Sequence, residues 1–229
     1  MDKIIILILL TIIGLAFGII LTKEKTKFNK INIDYLYLKK QPQTYIDRLN
    51  TKKAKFLFGN ITRKFMILDG YINLKDNNQT ISLFDELRNN KLSYGKRINL
   101  YQKEISYYLE AKMFDKALAS YQDLKNEGSL INDPRMLQIL SESEALIEVY
   151  VKKNIEYIDV LIQLINSSKD DLTNVINNYR IAYCYFNNNN VDKAKEYIKK
   201  SFNFSEKTML NSLLKKVNKD IKLINEYII

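Results

Sequence analysis

The sequence predicts an all-α chain: one apolar helix of membrane length, then a series of antiparallel helix hairpins, then a closing amphipathic helix. Three observations predict it. Apolar residues recur at three-and-four spacing in paired segments, each pair split by a short polar break. Only two prolines and six glycines occur in 229 residues, which suits long helices with short connections. The first residues form an uncharged apolar run, and the rest of the chain has enough apolar residues, 46% overall, to bury a sizeable core.

The run from Ile4 to Leu21, IIILILLTIIGLAFGIIL, has 18 residues and no charge. As a helix it reaches about 27 Å, close to the hydrocarbon thickness of a bilayer. Gly14 and Gly18 do not disturb this reading, because membrane helices tolerate glycine. A secretory leader has a shorter apolar core, roughly 7–15 residues, and a small-residue cleavage site. No convincing A-x-A precedes Lys23, and no cysteine follows the run to accept a lipid. Residues 1–22 therefore read as a single-pass anchor. Residues 23–43 read as a basic juxtamembrane segment, with Lys23, Lys25, Lys27 and Lys30 opposed by Glu24. Flanking lysines mark the cytoplasmic side, so the remainder is expected in the cytoplasm. Export in the manner of a signal-anchored chain is the alternative.

A short helical stretch from Asp34 should end near Gln41, since proline disfavours helix at the residue before it. A helix opened by Gln43 or Thr44 then carries Tyr45, Ile46, Leu49, Phe56 and Leu57 to about Phe58, where Gly59-Asn60 stops it. Four hairpins follow, beginning near residues 61, 98, 139 and 175. The first turns at residues 75–78, and the second pairs Tyr101, Ile105 and Tyr108 with Phe114, Ala117, Tyr121 and Leu124. Asp133 caps a helix with Pro134 in its first turn, and the third hairpin carries Ala145, Val149, Ile158 and Ile162. The fourth is the clearest: Tyr179, Ile181, Ala182 and Tyr185, four asparagines at 187–190, then Ala194, Tyr197, Ile198 and Ser201. Residues 207–228 close the chain as one amphipathic helix. It either caps the last hairpin or lies on a membrane or partner helix.

Small residues Ala182 and Ala194 set close together, with Ala194-x-x-x-Ile198 and an aromatic at Tyr185, resemble the tetratricopeptide repeat. MFDKALASYQDL, with Ala117 and Tyr121, resembles its second helix. Spacings of 37, 41 and 36 residues approach the family's period of about 34. Asn178 stands where the family has tryptophan, and the closing proline is missing. The resemblance covers roughly residues 61–206. It implies a TPR-like α-solenoid over residues 44–229, whose first helices line a concave face able to hold a protein or peptide. Some family members grip a terminal carboxylate with inward lysines and asparagines. Thr62, Phe65, Asn99, Gln102 and Ser106 do not reproduce that clamp. By helical phase from Ala182, the groove candidates are Tyr179, Tyr183, Phe186 and Asn187. They either meet a partner or are shared as core between neighbouring hairpins.

Catalytic chemistry has little to work with. The chain has no histidine, so it lacks the commonest general base and the usual nitrogen ligand of zinc. Its single cysteine, Cys184, rules out an internal disulfide or thiolate cluster and reads as a small buried hydrophobe. No phosphate loop, dinucleotide loop, nucleophile elbow or calcium loop is present. Asp170-Asp171 and Glu142-x-Glu144 are acidic pairs near expected helix starts, where they suit the helix dipole. A net charge of +10 invites an anionic partner. The lysines are nevertheless interleaved with glutamates and asparagines, without the basic footprint of a nucleic-acid reader. The expectation is a membrane-tethered helical-repeat adaptor, not an enzyme and without cofactor or metal, that binds a protein or peptide partner. The alternative is an extracytoplasmic TPR-like structural protein.

Overall fold

The computed structural model describes the backbone of residues 2–206 and 208–229, and side chains from Leu10 onward apart from Lys207. The fold is all-α, and the described residues contain no strand. The chain divides into two compact units, Met1–Tyr94 and Gly95–Ile229. The division falls between Tyr94 and Gly95, inside the stretch 44–229 expected to form the repeats. Such a cut is natural when each hairpin packs only on its neighbours.

In the first unit, α1 (Asp2–Ile33) continues unbroken through the lysine-rich stretch, so residues 23–33 of the basic juxtamembrane segment are helix. Among the described residues no helix is long and apolar enough to cross a membrane. Residues 4–9 of the expected span lie outside the described side chains. What is described of that run stands clear of the rest: Leu10, Ile13, Leu15 and Ile20 are 61%, 63%, 64% and 60% exposed. A methyl group added at Gly14 or Gly18 would meet nothing within 4 Å. Lower down, α1 joins the fold. Phe28 is buried with its ring 5.6 Å from that of Phe58, and buried Asn32 accepts a bond of 2.8 Å from Arg48 Nε.

A π-helical turn, Asp34–Leu38, ends this helix, and α2 (Pro42–Leu49) starts with proline in its first turn. The single helix expected to reach Phe58 is two, because Thr51 Oγ1 accepts from Ala54 N at 3.3 Å and starts α3 (Lys52–Leu57) afresh. Next come α4 (Asn60–Leu74) and α5 (Asn77–Arg88), as the hairpin near residue 61 required. Gly70 admits α2 against α4: a Cβ there would lie 2.5 Å from Ile46 Cγ1. Thr80, where the repeat would have alanine, is fully buried and satisfies its hydroxyl on Asp76 O at 2.7 Å.

The second unit contains α6 (Tyr94–Glu110), α7 (Phe114–Gly128), α8 (Pro134–Leu146), α9 (Ile158–Ser167), α10 (Asp171–Asn187), α11 (Val191–Phe204) and α12 (Asn211–Lys219). Asp133 caps α8 as expected, accepting from Arg135 N at 3.0 Å. Glu104, where the repeat has an apolar residue, is fully buried on α6 and accepts from Ser120 of α7 at 2.9 Å. Leaving that carboxylate unpaired would be costly, so the polar pair replaces what an apolar contact does elsewhere. Ala182 and Ala194 are fully buried where α10 and α11 pack, and Ser201 donates to Val175 O at 2.7 Å.

One turn is used repeatedly. Left-handed residues occur at Lys40, Lys75, Lys112, Lys153 and Asn189, at intervals of 35, 37, 41 and 36. After each, one residue intervenes and a new helical segment starts. The intervening residue donates its N–H five residues back in three cases: Asp76 to Tyr71 O, Met113 to Tyr108 O, and Asn190 to Tyr185 O. This is the helix-ending motif that returns orphan carbonyls to a donor. Gln41 to Tyr35 O and Asn154 to Glu148 O reach six back, because a π turn adds a residue in each. The three intervals between the last four turns equal those expected between the four hairpins. Lys40 adds a fifth hairpin, formed by the lower end of α1 with α2.

The closing helix differs from expectation. α12 ends at Lys219, Asp220 turns the chain and caps Lys222 N at 3.1 Å, and a 3-10 stretch, Ile221–Glu226, leads to an extended end. Leu214 and Val217 still cover α11 as a cap would, while Ile224 is buried elsewhere.

Candidate functional site

The chain's own last residues lie on the face of α10 singled out by helical phase. Tyr179 and Tyr183 are one turn apart and Asn187 one turn further, so all three share one side. Tyr179 is fully buried; its hydroxyl donates to the main-chain oxygens of Ile224, at 2.9 Å, and Tyr227, at 3.1 Å. Tyr183 is 5% exposed and packs edge-on against Tyr150, ring centres 4.8 Å apart. Asn187 Nδ2 donates to Asn225 Oδ1 at 2.9 Å. Phe186 is half-buried. To the two readings of these four, partner groove or core shared between hairpins, the structure adds one fact: residues 224–227 lie against Tyr179 and Asn187, because the break at Asp220 brings the tail back over α10.

Two residues missed in the sequence also hold the tail. Tyr150, in the π turn Ile147–Val151, donates to Ile229 O at 2.7 Å and accepts from Ile229 N at 3.0 Å. Arg180 Nε donates to Ile229 O at 3.2 Å, and its Nη1 lies 3.3 Å from Glu142 Oε2. Burial pushes the Tyr150 hydroxyl up to about 12 against the opposing pull of Arg180. Burial also raises Tyr179 and Tyr183. These phenols keep their protons and act as donors near neutral pH. Apart from the Asn187 bond to Asn225, every bond to the tail is made to its main-chain atoms. The site therefore holds the tail by its backbone, a 3-10 turn containing buried Ile224 and the extended end after it. The sequence held one usable clue: Asp220 is a helix-capping residue inside an otherwise continuous apolar pattern.

The acidic pairs separate. Asp170 caps α10, accepting from Thr173 N and Oγ1, both at 2.8 Å, and these bonds hold its carboxyl below the ordinary 3.8. Glu142 and Glu144 lie in the second half of α8 and not at its start. Glu144 accepts from Tyr121, whose hydroxyl is raised to about 12, first by burial and then by the Glu144 charge. Cys184 is fully buried, and burial lifts its thiol to about 12, so it is no nucleophile near neutrality. Among the described residues no group of three or more acidic or cysteine side chains is placed to hold a metal ion. Compared with protein-family models, curated proteins and solved structures, the chain matches none of them.

Proposed function

We propose that the chain is a membrane-tethered, TPR-like helical scaffold that binds a protein or peptide partner without catalysis, with the α10 face as its peptide groove. The observation that carries this reading is the tail itself. Tyr150, Tyr179 and Arg180 hold main-chain atoms of the 3-10 turn and the extended end that follows it, a contact a partner peptide could reproduce with its own backbone. The partner exchanges with residues 224–229, and the apolar run from Ile4 to Leu21 keeps the scaffold at the bilayer. The exposed sides of Leu10 to Ile20 support the anchor, since a helix apolar all round belongs in lipid or in a core. Lysines after the run support a cytoplasmic location. Protease added to intact cells should then leave the segment after residue 22 uncut.

The test is photo-crosslinking of the full chain in its membrane, with benzoylphenylalanine at Phe186, the half-buried edge of the groove. We expect a discrete adduct to another polypeptide, enriched several-fold by Tyr150→Phe, which weakens the hold on Ile229. Adducts formed only with residues 220–229 of the same chain, in both backgrounds, would show that the tail is a permanent part of the core and the groove is no partner site.

A further inference from the structure

One side of α3 has nothing in the fold to bury against. Ala54 and Leu57 face inward at 0% and 4% exposure, whereas Phe56 is 70% exposed. Lys52, Lys53 and Lys55 are exposed too. Lys52 and Lys53 precede Phe56 by four and three residues, so they flank its ring on the helix surface. A phenylalanine framed by lysines is a poor surface for water and a good one for the border between acyl chains and headgroups.

The height of α3 along α1 makes the same point. Lys53 Nζ sits 2.6 Å from Glu24 Oε2, and Phe58 packs on Phe28, so α3 lies level with residues 24–28. Glu24 is three residues beyond Leu21, the end of the apolar run, or ~4.5 Å along a helix. The headgroup layer outside the hydrocarbon is about 5–7 Å deep on each side. A span ending at Leu21 therefore sets the Lys53 end of α3 within the headgroups and the end near Phe58, level with Phe28 about 10 Å past Leu21, at their outer edge. Beside it opens a cleft of about 270 Å³ with Phe28 and Ile31 in its wall and Lys27, Arg48, Thr51 and Lys53 around it. Glu24 also lines the cleft, but its charge is already answered by Lys53, which holds the carboxyl below its ordinary range.

We infer that α3 and the side of this cleft nearest the membrane form a second membrane contact, a surface that receives the headgroup phosphates of anionic phospholipids while Phe56 enters the headgroup layer. The inference rests on the anchor reading of the run from Ile4 to Leu21. It adds that the first unit is laid down on the bilayer and does not hang from it.

The sequence has no tryptophan, so a single introduced indole reports depth without background. The full chain is reconstituted into phosphatidylcholine vesicles, with or without phosphatidylserine, carrying a quencher at shallow or deep acyl positions. Phe17→Trp reports the anchor and Phe56→Trp reports α3. The expected result is deep quenching of Phe17→Trp in both vesicles, with shallow quenching of Phe56→Trp several-fold greater when phosphatidylserine is present. Adding Lys52→Gln and Lys55→Gln, which leaves the Lys53–Glu24 pair intact, should abolish that gain. If Phe17→Trp is quenched and Phe56→Trp stays in water, the anchor stands and the α3 contact falls. Equal quenching of Phe56→Trp in neutral and anionic vesicles overturns the choice of anionic headgroups. A Phe17→Trp indole that no quencher reaches removes the anchor, and the α3 contact with it.

Discussion

The hairpins α4–α5 and α10–α11 use the same turn and close their inner sides by opposite means. Each has a left-handed residue, Lys75 or Asn189, then a cap, Asp76 or Asn190, that accepts from the N–H three residues on. α4 is closed by shape: Gly70 removes a side chain so that Ile46 and Tyr45 of α2 can enter. α10 is closed by directed polar contacts, with Tyr179 and Arg180 reaching main-chain oxygens of a segment more than forty residues away. Shape closure has one solution and resists exchange. Closure by hydrogen bonds to main-chain oxygens depends less on the side chains of the segment held. On the proposed function, the shape-closed side of α4 stays fixed while the hydrogen-bonded side of α10 is the one that exchanges its occupant.

The sharpest way to break this contrast is at Tyr179. Replacing it with alanine removes a fully buried ring and both carbonyl contacts, and should cost about 3–5 kcal/mol in chemical denaturation of the full chain in detergent. Tyr179→Phe keeps the ring and strands the Ile224 and Tyr227 carbonyls, for about 1–2 kcal/mol. The more telling readout is hydrogen exchange. Tyr179→Phe should raise exchange in residues 221–229 while α10 and α11 stay protected. Uniform loss of protection would mean the tail and α10 are one inseparable core, and the contrast with α4 would vanish.

The next effect tests closure by shape. Gly70→Ala puts a methyl group 2.5 Å from Ile46 Cγ1, near the stem of a stiff β-branched side chain. We expect a loss of about 1–3 kcal/mol, outweighing the helix propensity that alanine gains. Gly128→Ala is the internal control in the second unit. There the added methyl would press on Met136 Cε, the far end of an unbranched, adaptable side chain. That change should stay within about 1 kcal/mol of the parent. Equal losses at the two glycines would mean that the first unit is not the more rigidly packed of the two.

What was legible in the sequence follows from which interactions are local. The helices and the hairpin period were readable because apolar spacing and turn residues act within a few positions, as at Ala182, Ala194 and the asparagines between α10 and α11. The side of α10 carrying Tyr179, Tyr183 and Asn187 was readable from phase alone. Its occupant was not, because the pattern Val217, Ile221, Ile224 and Ile228 fits a continuing helix. Only the long-range bonds to Tyr179, Tyr150 and Arg180 show that the chain leaves it at Asp220. The first hairpin was hidden for a different reason: its leading helix is fused to the apolar run, so no polar break marks its start. The tyrosines whose carbonyls receive the turn, Tyr35, Tyr71, Tyr108 and Tyr185, were visible as an internal repeat that includes it.

The smallest expected effect lies in those turns and has the opposite sign. A lysine in the left-handed region brings its Cβ too close to the backbone, whereas glycine does not and asparagine is tolerated. Lys75 and Lys112 have φ of 59° and 57°, and both are exposed, so a change there disturbs no core contact. Lys75→Gly and Lys112→Gly should each stabilise by about 0.5–1 kcal/mol, the relief of strain exceeding the extra freedom glycine gives the unfolded chain. Asn189, φ 62°, already suits the turn, so Asn189→Gly should change stability little. Denaturation midpoints of the three variants against the parent check this. Gains at residues 75 and 112 with none at 189 would mean that the α10–α11 turn is the best-adapted of the three and the hairpins differ in closure and not in turn chemistry. A gain at Asn189 as large as at Lys75 would show that asparagine brings no advantage there, and the better fit assigned to the last turn would have to be given up.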